Sequence, residues 1–143
     1  MSPSTHLTSL TSAGIPVRLA ARAIDVLILV AIDVSLGRAI GFGYNWLIVA
    51  ASIVIAYFVA SDVLAGATPG KAVFSLRVTS ADGKRLSVKQ AFIREFFILF
   101  GAVPFAGPFL ALAAWTWIFV TMRSSSLRQG KHDQLAGTLV VRR

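Results

Sequence analysis

Residues 17–40, VRLAARAIDVLILVAIDVSLGRAI, form an apolar run that is interrupted by five charged residues. At about 1.5 Å per residue, a helix of this length crosses a hydrocarbon core of roughly 30 Å. Pro16, which stands directly before the run, favours the start of a helix. The stretch therefore predicts a first membrane-spanning helix that carries charge into the apolar layer.

Four of these charges share one side of the predicted helix. At about 100° per residue they spread over an arc of only about 80°. An ionised side chain at mid-membrane costs roughly 2.5–3.5 kcal/mol on insertion scales, so such groups must face protein or water and usually pair. The four residues are Arg18, Arg22, Asp25 and Asp33.

The spacing of these charges predicts some of their partners. Arg22 and Asp25 are three residues apart and can meet on the helix surface. Arg18 reaches Asp25 only partly, or extends to the cytoplasmic headgroups. Asp33 lies about 12 Å deeper in the membrane than Asp25, by helical rise. It is therefore protonated, hydrated in a cavity, or paired with a group elsewhere. Asp62, at the end of the second apolar run, is at the right depth to accept from Arg18 or Arg22; the alternative is that it is a charge at the membrane interface.

The composition also indicates a membrane protein of one domain. The 143 residues are 56% hydrophobic and only 14% charged, whereas a soluble domain has about 25% charged residues. The net charge of +8 is explained by bases that lie between apolar runs, as in cytoplasmic loops. The chain has no set of aromatic and basic residues of the kind that binds single-stranded nucleic acid, so no nucleic-acid partner is expected.

Several kinds of chemical site are absent from the sequence. There is no cysteine, and His6 and His132 lie in different polar segments without a metal-binding spacing. The sequence shows no catalytic nucleophile together with a general base, so we expect neither an enzyme nor a cofactor. Residues 1–14 are rich in serine and threonine, carry no basic residue and predict a flexible tail rather than a cleaved signal.

The rest of the chain contains a second apolar run over 46–64, after the turn 41–45, and a third over 88–122. The third run is broken at 103–108, VPFAGP. One long kinked helix would place the flanking basic segments on opposite sides of the membrane, and two short helices would place both on the same side. The positive-inside rule favours two helices, because both segments are basic.

The predicted fold is therefore a four-helix transmembrane bundle. The helices are expected at about 17–40, 46–64, 88–103 and 107–122, the last two short and joined by the Pro-Gly hairpin, with both termini cytoplasmic. Asp82-Gly83 is a strong turn signal and predicts a small cytoplasmic β-hairpin over about 72–87. A strand at 138–142 can extend this sheet; the alternative is that both segments are irregular loops.

Several short motifs, in order, resemble the RDD family of small bacterial membrane proteins, which is named for one arginine and two aspartates. The helix opening R-L-A-A-R-A-I-D at 18–25 is similar to the family's first motif. T-P-G-K at 68–71, L-R-V at 76–78, D-G at 82–83 and Arg94 follow, and K-H-D-Q-L-A-G-T-L-V-V at 131–141 is similar to the family's ending. By this resemblance the family's arginine is Arg18 and its aspartates are Asp25 and Asp133.

The motif residues outside the first helix have mainly architectural interpretations. The turn at 68–70 leaves Lys71 able to bind lipid phosphate, and it is too short for a phosphate-binding P-loop. Arg77 and His132 are further candidates for lipid or partner contacts. Asp133 caps the turn that returns the tail to the sheet, and it can also pair with Arg18 or Lys71.

Two functions agree with these features. The small size favours an accessory, assembly or regulatory subunit of a larger membrane complex, with other membrane subunits or further copies of the chain as partners and the anionic cytoplasmic leaflet as surroundings. The resemblance also implies an alternative, because a few RDD-like proteins are described as cation–proton antiporters. Buried Asp25 and Asp33 would then couple protons to cations in an oligomer.

Overall fold

The computed structural model describes residues 12–142 and is mainly helical, with one small sheet. Six α-helices, one 3₁₀ segment and two strands follow each other along the chain. In order they are α1 (Ile15–Ile40), α2 (Tyr44–Leu64), α3 (Pro69–Val73), β1 (Leu76–Ser80), α4 (Val88–Glu95), the 3₁₀ segment (Phe96–Ala102), α5 (Gly107–Ser124), α6 (Lys131–Ala136) and β2 (Thr138–Arg142).

The first two helices agree closely with the prediction. Pro16 occupies the first turn of α1, where its missing N–H costs no hydrogen bond. Gly41, with φ 81°, ends α1 in a conformation that glycine adopts most easily. The short turn that follows leads directly into α2, so the two longest helices of the described chain are neighbours in sequence.

The third apolar run is divided where the sequence predicts. Ser87 starts α4 with a capping box: its hydroxyl accepts from the Gln90 N–H, and the Gln90 side chain accepts from the Ser87 N–H. After the 3₁₀ segment the chain turns at 103–106, where Phe105 has φ 60°. α5 then packs against the 3₁₀ segment, with the rings of Phe97 and Trp117 6.3 Å apart. The run therefore forms two helical pieces and not one kinked helix.

The predicted hairpin over 72–87 is wrong, because its first strand does not pair with the segment that follows the turn. Ala72 belongs to α3, which Thr68 caps by accepting from the Lys71 N–H. The turn at Gly83 is present, and the Ser80 N–H donates to the Lys84 carbonyl, but Ser87 already caps α4 and leaves no length for a returning strand. β1 instead pairs antiparallel with β2.

Apolar burial explains why β2 is the better partner. Val78 and Val140 lie opposite each other and are each 2% exposed, whereas Lys84 and Arg85 are exposed. The two valines pack with Ala21 of α1 and Ala91 of α4 in the hydrophobic core. The sheet thus covers one end of the helices.

The chain directly before α1 is also attached to the sheet. The Ala13 N–H donates to the Val140 carbonyl over 3.1 Å, and Ser12 forms an isolated bridge with Val141. The predicted flexible tail, 1–14, is therefore wrong for residues 12–14, and residues 1–11 lie outside the described part of the chain.

Among the described residues, only α2 is long and apolar enough to be a clear candidate for a membrane span. Only 11% of the residues in its most apolar window are buried, so the rest of the protein does not enclose this helix. α1 is longer, but five charges interrupt it. The predicted bundle of four spanning helices stays a prediction, whereas a mainly helical chain with a two-stranded antiparallel sheet is confirmed.

We expect Gly70→Ala to destabilise the protein strongly. A Cβ atom at Gly70 would overlap the Ala21 carbonyl oxygen of α1 and lie 2.9 Å from the Asp25 carboxylate, so α3 would have to move away from α1. Overpacking of this kind costs about 1–3 kcal/mol, and the melting temperature in detergent should fall accordingly. Gly43→Ala is the matched control because nothing lies within 4 Å of its Cβ position; equal melting temperatures for both variants would contradict this contact.

Candidate functional site: a buried charge network

Asp25 is completely buried, and neutral hydrogen-bond donors surround it. Its carboxylate accepts from the Tyr57 hydroxyl at 2.8 Å, the Thr68 hydroxyl at 2.6 Å and the Gly70 N–H at 2.8 Å. These three hydrogen bonds replace those that the carboxylate loses with water on burial. Thr68, which caps α3, and Gly70, in its first turn, supply two of the donors, which holds α3 directly against α1.

Asp62 of α2 and Lys71 of α3 form a buried ion pair. The Lys71 Nζ is 2.7 Å from the Asp62 Oδ1, and both residues are at most 7% exposed. Burial lowers the pKa of Lys71 and repulsion from Arg94 adds to this, while Asp62 and Glu95 act in the opposite direction. The structure therefore differs from the expectations that Asp62 pairs with Arg18 or Arg22 and that Lys71 contacts lipid phosphate.

Arg94 of α4 lies at the centre of the acidic groups. Its nitrogen atoms approach the carboxylates of Asp133 at 3.2 Å, Asp62 at 3.6 Å and Glu95 at 3.7 Å. These carboxylates neutralise the charge of Arg94. None of the three contacts is a hydrogen bond: two are too long, and the contact with Asp133 is poorly directed. Its Nε and Nη1 atoms are buried and have no hydrogen-bond partner among the described residues.

Arg18 joins the start of α1 to the C-terminal segment. Its Nη1 lies 3.3 Å from the Asp133 Oδ2 of α6, so the predicted pair is present. Its other nitrogens donate to the carbonyls of Val140 at 3.1 Å and Ala13 at 3.2 Å. The Thr138 hydroxyl donates to Asp133 as well, at 3.3 Å, next to the Gly137 turn.

The ionisable side chains of α6 are buried among charged groups, which shifts their pKa values. Burial by itself raises the pKa of Asp133, but the charges of Arg94, Arg18 and Lys71 outweigh this and hold it below its usual value. Burial lowers the pKa of His132, which favours the neutral imidazole at pH 7. His132 is thus a buried neighbour of Asp133, at 3.5 Å, and not an exposed lipid contact.

Arg22 pairs with Glu95 and not with Asp25. Its Nη2 lies 3.1 Å from the Glu95 carboxylate, and its guanidinium lies over the Phe58 ring at 3.8 Å from the centroid. The expected Arg22–Asp25 pair is absent from the described ion pairs, because neutral donors already occupy the Asp25 oxygens.

These contacts define what we call the charge network, four bases and four acids that join α1, α2, α3, α4 and α6. Ion pairs connect seven of the eight residues, and Asp25 is tied to α3 by hydrogen bonds alone. Their formal charges cancel, as a buried ionic cluster requires if its desolvation is to be offset. The members are Arg18, Arg22, Lys71, Arg94, Asp25, Asp62, Glu95 and Asp133.

Comparison with known proteins assigns the family. The RDD family model matches residues 12–137, which is most of the chain. The chain belongs to the RDD family. This is a family of membrane proteins, and the assignment confirms the resemblance in the sequence motifs. No curated protein and no solved structure matched the chain.

The RDD motif residues meet in one place in the structure. Arg18, Asp25 and Asp133 are the positions that the resemblance assigns to the family's arginine and aspartates, and all three belong to the charge network. Asp25 and Asp133 share no contact among the described hydrogen bonds and ion pairs. α3 binds Asp25, and Arg94 binds Asp133. The motifs therefore specify a shared interior and not three independent sites.

Three predicted site residues lie outside the network. His132 is the buried neighbour of Asp133 described above. Asp33 lines a cavity of about 320 Å³ together with Arg22 of the network, and its Oδ1 is buried with no hydrogen-bond partner among the described residues. Arg77 of β1 lines a separate cavity of about 220 Å³.

Arg94 and Glu95 are site residues that the sequence did not predict. Arg94 is part of the motifs that resemble the family, and Glu95 belongs to none of them. The two stand side by side within the apolar run 88–122, and ionisable residues in such a run usually face a polar interior. That rule, applied to the third run as it was to the first, would have found them.

We expect Asp133→Asn to destabilise the protein by about 3–5 kcal/mol, because it leaves Arg18 and Arg94 buried without a full countercharge. Thermal unfolding in detergent measures the effect. Asp82→Asn is the control, since Asp82 pairs with Lys84 at 3.6 Å on the exposed surface and such pairs contribute little. A melting temperature for Asp133→Asn equal to that of the wild type would refute a structural role for the network.

Proposed function

We propose that this RDD protein is an accessory subunit that docks to a transmembrane helix of a larger membrane complex through the outer face of α2. It is a multi-pass protein of the bacterial inner membrane in this proposal, with both termini and the sheet on the cytoplasmic side. The bilayer, with its anionic cytoplasmic leaflet, covers the remaining apolar surface. It does not act as an enzyme.

Strand pairing supports this topology. A hydrogen-bonded sheet cannot form across a bilayer, so β1, β2 and Ala13 lie on the same side of the membrane. The chain between Ala13 and β1 must then cross an even number of times, and so must the chain between β1 and β2. Two crossings in each interval give the four-helix arrangement, and the basic residues near the sheet favour the cytoplasm.

One feature of α2 carries the docking proposal. Ser52, Ala56 and Ala60 are all exposed and follow each other at every fourth position, so they form one stripe along the helix. Small residues at this spacing let two membrane helices approach closely. The Ser52 hydroxyl already donates to the Ile48 carbonyl at 2.8 Å, so the stripe presents no unpaired polar group to a partner.

The charge network supports a structural role over an ion pathway. Its charges cancel, and Asp25 accepts from three neutral donors. Such a network fixes α3, α4 and α6 against α1 and provides a rigid base from which α2 can present its stripe. The partner that fits the stripe is a transmembrane helix with small residues of its own.

Site-specific crosslinking in native membranes tests the docking face. A photo-crosslinking amino acid at Ala56 should give one adduct with another membrane polypeptide. The same group at Ala31, an exposed residue of α1, is the matched control and should react with lipid alone. Ala56→Phe should abolish co-purification of the crosslinked polypeptide, and Ala31→Phe should leave it unchanged. Adducts only with lipid, or only with a second copy of the chain, would overturn the proposed heterologous partner.

A second candidate function rests on Asp33. Its buried Oδ1 without a partner, beside a 320 Å³ cavity, is the kind of site that holds a proton or a cation within a membrane. This favours Asp33 over Asp25 as the exchanging group of an oligomeric cation–proton antiporter, because Asp25 is occupied by hydrogen-bond donors.

Proteoliposomes with an internal pH dye test the antiporter. A sodium gradient should drive proton flux in the wild type, and Asp33→Asn should abolish it because an amide cannot release a proton. Asp82→Asn, at the exposed turn, should retain the flux. Absence of sodium-driven flux in the wild type would exclude this function, and equal flux in both variants would exclude Asp33.

A further inference from the structure

A small cavity adjoins the charge network and has a mixed lining. It holds about 80 Å³. Four bases and three acids of the charge network line its polar side, that is, every member of the network except Asp62. Since one water needs roughly 10–15 Å³ by the same measure, the space accommodates several waters or one phosphate-sized group. Apolar side chains form much of the rest: Leu19, Phe97, Ile98, Trp115, Ile118 and Met122.

Arg94 has N–H groups that form no hydrogen bond with the described residues. It is 5% exposed, and its Nε and Nη1 lie 3.2 Å from Asp133 and 3.6 Å from Asp62 without forming hydrogen bonds. A buried donor without a hydrogen bond destabilises the folded protein, and an acceptor in the cavity would relieve this. A guanidinium offers its N–H groups in a planar fork that matches the oxygens of a phosphate.

The mouth of the cavity is apolar. Leu19 and Trp115 line the cavity and are nevertheless 47% and 41% exposed, so it opens on an apolar part of the surface. Leu19 lies about 6 Å along α1 from the helix start, a depth that corresponds to the headgroup region if α1 spans the membrane from its first turn. The polar interior and apolar mouth together suit an amphiphile.

We propose that this cavity binds the phosphate of a membrane lipid, with the glycerol backbone and acyl chains along the apolar mouth. The charge network is neutral as a whole, so a phosphodiester with one negative charge is tolerated better than the more highly charged inorganic phosphate. The inference is independent of α2 as a docking face, and it rests on the membrane crossing of α1 that is part of the proposed function.

Native mass spectrometry of the detergent-purified protein tests the proposal. Phosphatidylglycerol should bind at one molecule per chain, and diacylglycerol, which lacks the phosphate, should not bind. Inorganic phosphate at millimolar concentration should not displace the phospholipid. Equal binding of diacylglycerol would remove the role of the phosphate, and displacement by inorganic phosphate would overturn a lipid as its source.

Two variants locate the binding site. Leu19→Trp fills the mouth without touching the charge network and should lower the affinity for phosphatidylglycerol at least tenfold. Leu27→Trp is the matched control on the same helix, 70% exposed and outside the described cavities, and should leave the affinity unchanged. Equal affinities in these two variants would overturn the site.

Arg94→Lys separates the geometry of the donors from their charge. It keeps the positive charge among the three carboxylates and removes the guanidinium fork, so the affinity should fall severalfold with the same one-to-one stoichiometry. An unchanged affinity in a folded Arg94→Lys protein would show that Arg94 does not hold the phosphate. If this variant does not fold, the comparison of the two leucine variants decides the question.

Discussion

The fold depends on compensation of charge within an apolar interior. Arg18 and Asp25 are buried, and neither would be tolerated in a membrane helix without partners. α3 brings neutral donors to Asp25, and α6 brings a carboxylate to Arg18. The polar side chains of α1 therefore hold the short helices α3 and α6 in place. The short helices in turn supply the partners that α1 needs.

The sequence alone predicts which side of α1 is polar but not which residues meet there. Helical periodicity places Arg18, Arg22 and Asp25 together because it depends only on local geometry. Their partners come from α3, α4 and α6, which fold back from positions far along the chain. Arg22 illustrates this difference, since Asp25 is its nearest acid in sequence and Glu95 is its partner in the structure.

The sheet shows the same division between local and long-range information. The turn at Asp82-Gly83 is predicted correctly, because its residues alone favour it. The strand that pairs with β1 is decided by burial of Val78 against Val140, which a local turn signal does not contain. For the same reason Lys71 appeared in sequence as a surface base, although the tight turn before it directs its side chain to Asp62.

The attachment of β2 and α6 to the start of α1 has a consequence for biosynthesis. Arg18 is translated 115 residues before Asp133, and the Val140 carbonyl follows later still. Until α6 has been made, Arg18 lacks the carboxylate that neutralises it and must be solvated by water or by another anionic group. The start of α1 therefore cannot reach its final packing before the chain has been translated past α6, and a chain truncated before α6 retains an uncompensated cation.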